Sequence, residues 1–379
     1  MGGDDKPNRK IRRWLILAIL LVAFVALVMI VFSLLPGGWL GFSQRSPGFT
    51  VNEFSFDVGR NRVFAHADDS VAAVGTLGAQ VFNTSGRETL RDSFRMSHPA
   101  IVEAGHSFLA FDIGGSTVRV FSTTQILSSI ETEGTIVSAS INKNGWFCIV
   151  TQEMSGLRGA VTVYNSLRVD VYKVNLGSYV LSAHLSHDNK SLAILTLTDS
   201  GSRVTFYHGL EIDKNDPDYR FDLPGGLIID IRFLPNGDIL AVSTDSLFLI
   251  ESSGNSRTLY EFTDKRLGGY SYNDGFVALH IYNYGIGYSG QLVTVGYDGT
   301  VLGVLDLDKE IVSISSSNSS LIVLRSDGLI FFDKNLEEYP VDIDHISTAA
   351  ANRILALSDD AALVTSDHSA VVIRREEGH

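Results

Sequence analysis

The sequence predicts an all-β protein: a β-propeller of eight four-stranded blades, with seven as the alternative, preceded by one transmembrane helix. Three observations predict it. An uncharged apolar run lies near the N-terminus, a buried-strand pattern recurs about every 40 residues, and two related segments sit at the ends of the repeat array.

The apolar run is Trp14 to Leu35, WLILAILLVAFVALVMIVFSLL, 22 residues without a charge. At about 1.5 Å per residue it reaches about 33 Å, enough to span a hydrocarbon core of about 30 Å. Lys6, Arg9, Lys10, Arg12 and Arg13 precede it, and the next basic residue is Arg45. The excess of Lys and Arg on the short side places residues 1–13 in the cytoplasm and everything after Leu35 outside it. Trp14 and Trp39 flank the run, where indoles favour the interface. A cleavable signal peptide is the rival reading. Its apolar region is about 7–15 residues and ends at an A-x-A-like site, and LLPGGWLGF offers none, so an uncleaved signal-anchor is expected. Its partner is then membrane lipid.

Residues 36–48 read as a linker, 49–375 as the folded domain and 376–379 as a tail. The N-terminal tail carries net +3 of a total of −13, leaving −16 beyond it. An ectodomain this acidic is unsuited to sequence-independent nucleic-acid binding, which needs basic surface. The single cysteine, Cys148, excludes an intramolecular disulfide. In an exported domain of this size that composition suggests a bacterial surface protein. Cys148 sits inside WFCIV and reads as a small core residue rather than a nucleophile.

Beyond residue 50 the chain alternates short β-type runs with turns of Gly, Asn, Asp and Ser. One run per unit reads S70-VAAV, S107-FLAF, G145-WFCI, S191-LAIL, D238-ILAV, G275-FVAL, S320-LIVL and A361-ALVT. Four apolar residues in succession describe a strand buried on both faces. Ala73, Ala110, Cys148, Ala241 and Ala278 fall at one recurrent position, as expected where neighbouring sheets crowd together. Turns such as NKNG (142–145), SHDNK (186–190), PNG (235–237) and NDG (273–275) precede the runs. Alternating third strands follow, beginning at Val118, Val161, Val204, Leu247, Leu292 and Leu329. More polar fourth strands close most units, as in VDVYKVNL (169–176), YRFDL (219–223) and RTLYEF (257–262). Four antiparallel strands per repeat are the sign of propeller blades.

The ends predict closure. NRVFAHADD (61–69) resembles NRILALSDD (352–360), and both lead into a second strand. The last unit stops at a third strand, SAVVIRR (369–375), while FTVNEFSFDV (49–58) is a spare strand ahead of the first unit. The N-terminal strand is expected to complete the C-terminal sheet and leave no open edge.

The blades resemble generic WD-type and quinoprotein-type propeller repeats, although the Trp-Asp and Gly-His signatures of the former are missing. The layout resembles uncharacterised bacterial families of single-span, membrane-anchored propellers. That resemblance implies the fold and no activity.

The sequence contains no G-x-S-x-G, P-loop, H-E-x-x-H or C-x-x-C. Quinone-dependent propellers use several docking tryptophans, and only Trp146 follows the juxtamembrane region, so no cofactor is expected. His184 and His187 lack a clustered third zinc ligand. DKNDPD (213–218) lacks the spacing of a calcium loop and reads as a solvated turn. Propeller hydrolases and lactonases hold a metal in the central channel with carboxylates and Asn of the innermost strands, and Asp230 and Asn142 lie near such strands.

The stretch YSYNDGFVALHIYNYGIGY carries Tyr270, Tyr272, Tyr282, Tyr284 and Tyr288. Tyr282, Tyr284 and Tyr288 read as part of a Gly-rich connection after the strand. Tyrosine gives large contact area at low entropic cost and is common in binding surfaces. The bland alternative is an aromatic hairpin packed on itself. Together with Met154 and Arg158 of the loop QEMSGLRG (152–159), these residues form the candidate binding face. The expected function is a non-enzymatic scaffold at the cell surface, binding an envelope protein or a cell-wall glycan. The alternative is an extracytoplasmic hydrolase or lyase with an acidic channel mouth.

Overall fold

The computed structural model describes residues 49–375, apart from 154–155, 211–215, 284–289, 340–350 and 368. The expected cytoplasmic tail, transmembrane helix, linker and C-terminal tail lie outside the described residues, as do Met154, Tyr284 and Tyr288. Strands and turns are the only regular structure among the described residues.

Those strands form eight antiparallel four-stranded sheets. In chain order the first strands of blades one to eight are Val63–Ala67, Pro99–Ala104, Thr135–Ile141, Val180–Leu185, Ile228–Phe233, Lys265–Tyr272, Ile311–Ser316 and Arg353–Ser358. They are the innermost strands, and those of neighbouring blades touch around the ring. The first strand of blade one also meets that of blade eight, which closes the circle. All eight apolar runs found in the sequence are second strands, from Ser70–Gly75 to Ala361–Thr365.

Blade eight is built from both ends of the propeller. Its order is Phe49–Ser55, Ser369–Arg375, Ala361–Thr365, Arg353–Ser358. Phe49 pairs with Arg375 and Ser55 with Ser369. The spare N-terminal strand is therefore the missing fourth strand, ending at Ser55 rather than at residue 58.

The core is divided. Eight apolar clusters each lie between two adjacent blades. One joins Cys148, Val161 and Val174 of blade three to Ala183, Leu192 and Ile194 of blade four. A single blade has two apolar faces and buries neither alone, so ring closure is what completes the core. Eight interfaces decide the count that the sequence left between seven and eight.

Cys148 shows why the recurrent position is small. Its Sγ lies 3.1 Å from the Ala183 carbonyl of the next blade's innermost strand. It is fully buried, and desolvation pushes its thiol up to about 12. It is inert packing, as expected.

Because strands alternate in direction, the ring has two edges. The turns joining first to second and third to fourth strands open at one, here the turn edge. The connections joining second to third strands and blade to blade open at the other, the crossover edge. The turns work as read: in NKNG, Gly145 has φ +74° and donates its N–H to Asn142 at 2.9 Å. Only glycine adopts that conformation without strain.

Candidate functional site

The channel is lined by the first strands, and most of their polar groups hold blades together. Ser140 Oγ donates to the Ala183 carbonyl at 2.7 Å. Ser316 N donates to Ser271 Oγ at 2.8 Å, and Ser315 Oγ accepts from Ala356 N at 2.9 Å. At the turn edge Asn142 Nδ2 donates to Ser186 O at 2.9 Å, and Asn273 Nδ2 to Ser317 O at 2.6 Å. Each bond satisfies an innermost-strand group that has no strand beyond it to pair with. Asn142, a sequence candidate for channel chemistry, is such a staple.

The charged groups behave differently. The pairing of first and second strands in blade five shifts by one residue between Ile228 and Asp230. This bulge at Ile229 re-aims the strand. Asp230 and Arg232, two apart, then share the face toward blade six, while Ile231 and Phe233 pack into the core on the side of blade four. Tyr270 and Tyr272, also two apart, come to meet them. Tyr270 Oη donates to Asp230 Oδ2 at 3.2 Å. The Arg232 guanidinium lies over the Tyr272 ring, 4.7 Å from its centroid. Tyr270 and Tyr272 thus belong to the channel, one blade-to-blade step from Asp230.

Enclosure by the channel walls sets the electrostatics. Desolvation pushes the Asp230 carboxyl up, against hydrogen bonds from Tyr272 and Tyr270. Desolvation also pushes Glu103 of blade two up, opposed by the charges of Arg232 and Lys143. Burial, aided by Asp230, drives the Tyr272 hydroxyl up to about 12. Desolvation works against the Arg232 charge, but Tyr272, Glu103 and Asp230 outweigh it and hold the guanidinium protonated. Burial and the Arg232 charge lower His184 to about 4, so it is neutral at pH 7. At the turn edge Lys143 of blade three reaches Asp274 of blade six at 3.3 Å. Among the described residues, no group of three His, Cys, Asp or Glu is placed to hold a metal ion.

A groove of about 540 Å³ opens at the turn edge between blades four and five, beside His187, Asp188, Asp218 and Tyr219. Its carboxylates shape loops. Asp188 Oδ1 accepts from Ser186 Oγ at 2.6 Å, and Asp218 Oδ2 from His208 N at 2.6 Å.

Of the sequence-predicted binding residues, two are described. Tyr282 lies in the strand Phe276–Asn283 rather than in the connection after it. Its ring meets His280 edge-on at 4.2 Å and covers Gly268, where a Cβ would come within 2.2 Å of Tyr282 Cε2. Arg158 is exposed at the crossover edge, its guanidinium 5.0 Å above the Tyr179 ring. Arg158 is on blade three and Tyr282 on blade six, with two blades between them.

Arg158 has company that sequence reasoning missed. Leu157, Tyr179, Leu197 and Leu227 are all exposed at the crossover edge. Leu197 N donates to Tyr179 O at 2.9 Å. Ser202, paired with Leu197, bonds both Gly226 O and Ile228 N, which flank Leu227. The four therefore form one strip across blades three to five. Leu157, Tyr179 and Leu227 are isolated apolar residues in three different connections, and Leu197 is near the end of the strand Ser191–Thr198, so no periodic pattern announced them.

The family model described as "Family of unknown function (DUF5711)" matches residues 51–339. The solved structures that resemble the chain include three with the following likenesses. Sqt1 of Saccharomyces cerevisiae is 12% identical with a TM-score of 0.60, covering 86% of this chain and 98% of its own. The WD40 domain of SCAP from fission yeast is 12% identical with a TM-score of 0.57, covering 87% and 98%. BamB from Moraxella catarrhalis is 13% identical with a TM-score of 0.53, covering 86% and 100%. At these identities the likeness concerns the fold. No curated protein matches the chain in sequence.

Proposed function

We propose that this chain, which belongs to the DUF5711 family of unknown function, is a non-enzymatic binding platform at the bacterial cell surface, held there by its N-terminal helix. The exposed strip at the crossover edge carries the reading. Tyr179 is 48% and Leu157 42% accessible, and Arg158 stacks on Tyr179 between them. Apolar groups with a cation beside them at one end, presented at the crossover edge of a rigid ring, suit recognition of another protein. The partner in this reading is an envelope protein with a complementary apolar stripe.

The test replaces Leu157 and Tyr179 together with Ser in the full-length protein and measures cross-linked complexes in envelope preparations. Complex formation is expected to fall severalfold, with the melting temperature within a few degrees, since exposed positions cost about 0.5 kcal/mol or less each. Unchanged complexes would remove the strip from the reading. Location has its own test. A Ser46→Cys variant is expected to react with an impermeant thiol reagent on intact cells, and buried Cys148 leaves the new thiol as the one that reports. Labelling only after lysis would overturn the orientation drawn from the five basic residues before the span.

The enzymatic alternative draws on Glu103 and Asp230. Asp230 Oδ2 already accepts from Tyr270, so this carboxylate is engaged in the ring itself. That favours the binding platform.

A further inference from the structure

The turn edge carries a second groove, of about 240 Å³, between blades two and three. Its floor is apolar: Val120, Leu127 and Ile141 line it and belong to the core that joins the two blades. Its rim is basic. Among the described residues His106, Lys143 and Arg168 line it and no carboxylate does, in a chain of net charge −13. The two blades meet closely there, since a Cβ on Gly105 would lie 3.7 Å from Lys143 O.

Two of the three basic groups have acidic partners outside the groove. His106 Nδ1 bonds Asp68 of blade one, and Lys143 pairs with Asp274 of blade six. Arg168 has none. Its Nη1 donates to Ser166 O at 3.2 Å, and among the described residues no carboxylate lies within 4.0 Å of its guanidinium. Asn165 Oδ1 fixes the turn that carries it, accepting from Leu167 N at 2.9 Å and Val169 N at 3.1 Å. Arg168 has φ +66°, the left-handed position that Gly86, Gly254 and Gly299 hold in the matching turns of blades one, five and six. The hydroxyls of Ser107 and Ser166 also line the groove and make no hydrogen bond among the described residues.

An unpaired cation and free hydroxyls around an apolar hollow suit a ligand with an anion beside an apolar group. We propose that the groove receives the C-terminal residue of a partner polypeptide, its large apolar side chain on the floor and its carboxylate on Arg168. The guanidinium offers paired donors to a carboxylate, and capture of a chain terminus is a recurring mode of peptide recognition. Size favours one residue over a lipid chain, because the hollow has the volume of about eight waters. Exposed apolar side chains continue outward for the preceding residues: Ile126, Val169 and Leu167, which is 72% accessible. The site is separate from the crossover-edge strip and lies at the other edge of the ring.

The experiment is fluorescence anisotropy on the full-length protein in a neutral detergent. The probe is an N-terminally labelled hexapeptide of alanines ending in phenylalanine with a free carboxylate. It is expected to bind saturably, and its C-terminal amide at least about tenfold more weakly. A peptide ending in alanine is expected to lose about tenfold as well, having no side chain for the floor. Arg168→Gly is expected to weaken the free-acid peptide about tenfold with no loss of melting temperature, because glycine suits that backbone position. Unlabelled N-acetylphenylalanine is expected to displace the probe at lower concentration than decanoate. The proposal is overturned if the amide binds as well as the acid, if Arg168→Gly binds like the native protein, or if no binding is seen by about 1 mM. Decanoate as the better competitor would also overturn it, assigning the groove to an acyl chain.

Discussion

A chain lacking residues 49–55 is expected to lose on the order of 5 kcal/mol of stability or more. The strand pairs along its whole length, from Phe49 with Arg375 to Ser55 with Ser369. Ladder hydrogen bonds contribute about 1 kcal/mol each when lost. Phe54 contributes more than any one of them, being buried and stacked on Phe82 of blade one at 4.6 Å. Removing such a ring from a packed core costs about 3–5 kcal/mol. Asn52 Nδ2 also donates to Thr84 O at 3.1 Å, tying blade eight to blade one. Urea unfolding of the deleted and intact proteins measures the difference. Phe54→Ala alone should show most of it, whereas exposed Glu53→Gln should stay within about 0.5 kcal/mol. If the deleted protein unfolds like the intact one, ring closure does not depend on this strand.

The second large effect is expected on acidification, at His280. This side chain is 3% exposed in the second strand of blade six, and its Nε2 has no hydrogen-bond partner among the described residues. Burial lowers its pKa from 6.5 to about 4. As pH falls below 6.5, the unfolded chain takes up a proton that the native state refuses. Stability present above pH 6.5 is therefore lost progressively, with the loss complete near pH 4. The shift corresponds to about 3 kcal/mol. His184, also lowered to about 4, acts with the same sign. Asp230 and Glu103, whose carboxyls are raised, act with the opposite sign. The clean measurement is therefore a comparison. Between pH 7 and pH 4, His280→Leu should gain about 3 kcal/mol relative to the native protein in urea titrations. Parallel pH profiles would mean that the imidazole protonates inside the fold.

Much of the fold is legible in the sequence because its signals are local. A second strand buried on both faces must read as unbroken apolar residues, so runs such as SLAIL and FVAL announce themselves. The turn NKNG needs Gly145 at positive φ, and such glycines punctuate the chain where strands reverse. The candidate site is less legible. Tyr282 reads as a loop residue because NYGIGYSG looks unstructured. The register of Phe276–Asn283 instead extends past the apolar residues, since Gly268 on the paired strand leaves space for the Tyr282 ring. Arg158 is legible as a surface residue, but its stacking partner Tyr179 lies 21 residues away and two strands later.

The sequence by itself determined the repeating blade, its second strands and the use of an N-terminal strand within residues 49–58 to close blade eight. Those features follow from side-chain polarity along a strand and from similarity between two stretches of one chain. Tertiary structure alone decided that there are eight blades, because the number that closes a ring depends on how eight interfaces pack, not on any one unit. It also decided which polar residues of the innermost strands are staples and which are free to act. In the sequence Asn142 and Asp230 read alike as candidates for channel chemistry, and nothing singled out Ser140 or Arg232. Only the curvature of the ring commits Ser140 and Asn142 to the neighbouring blade and lays Arg232 over Tyr272.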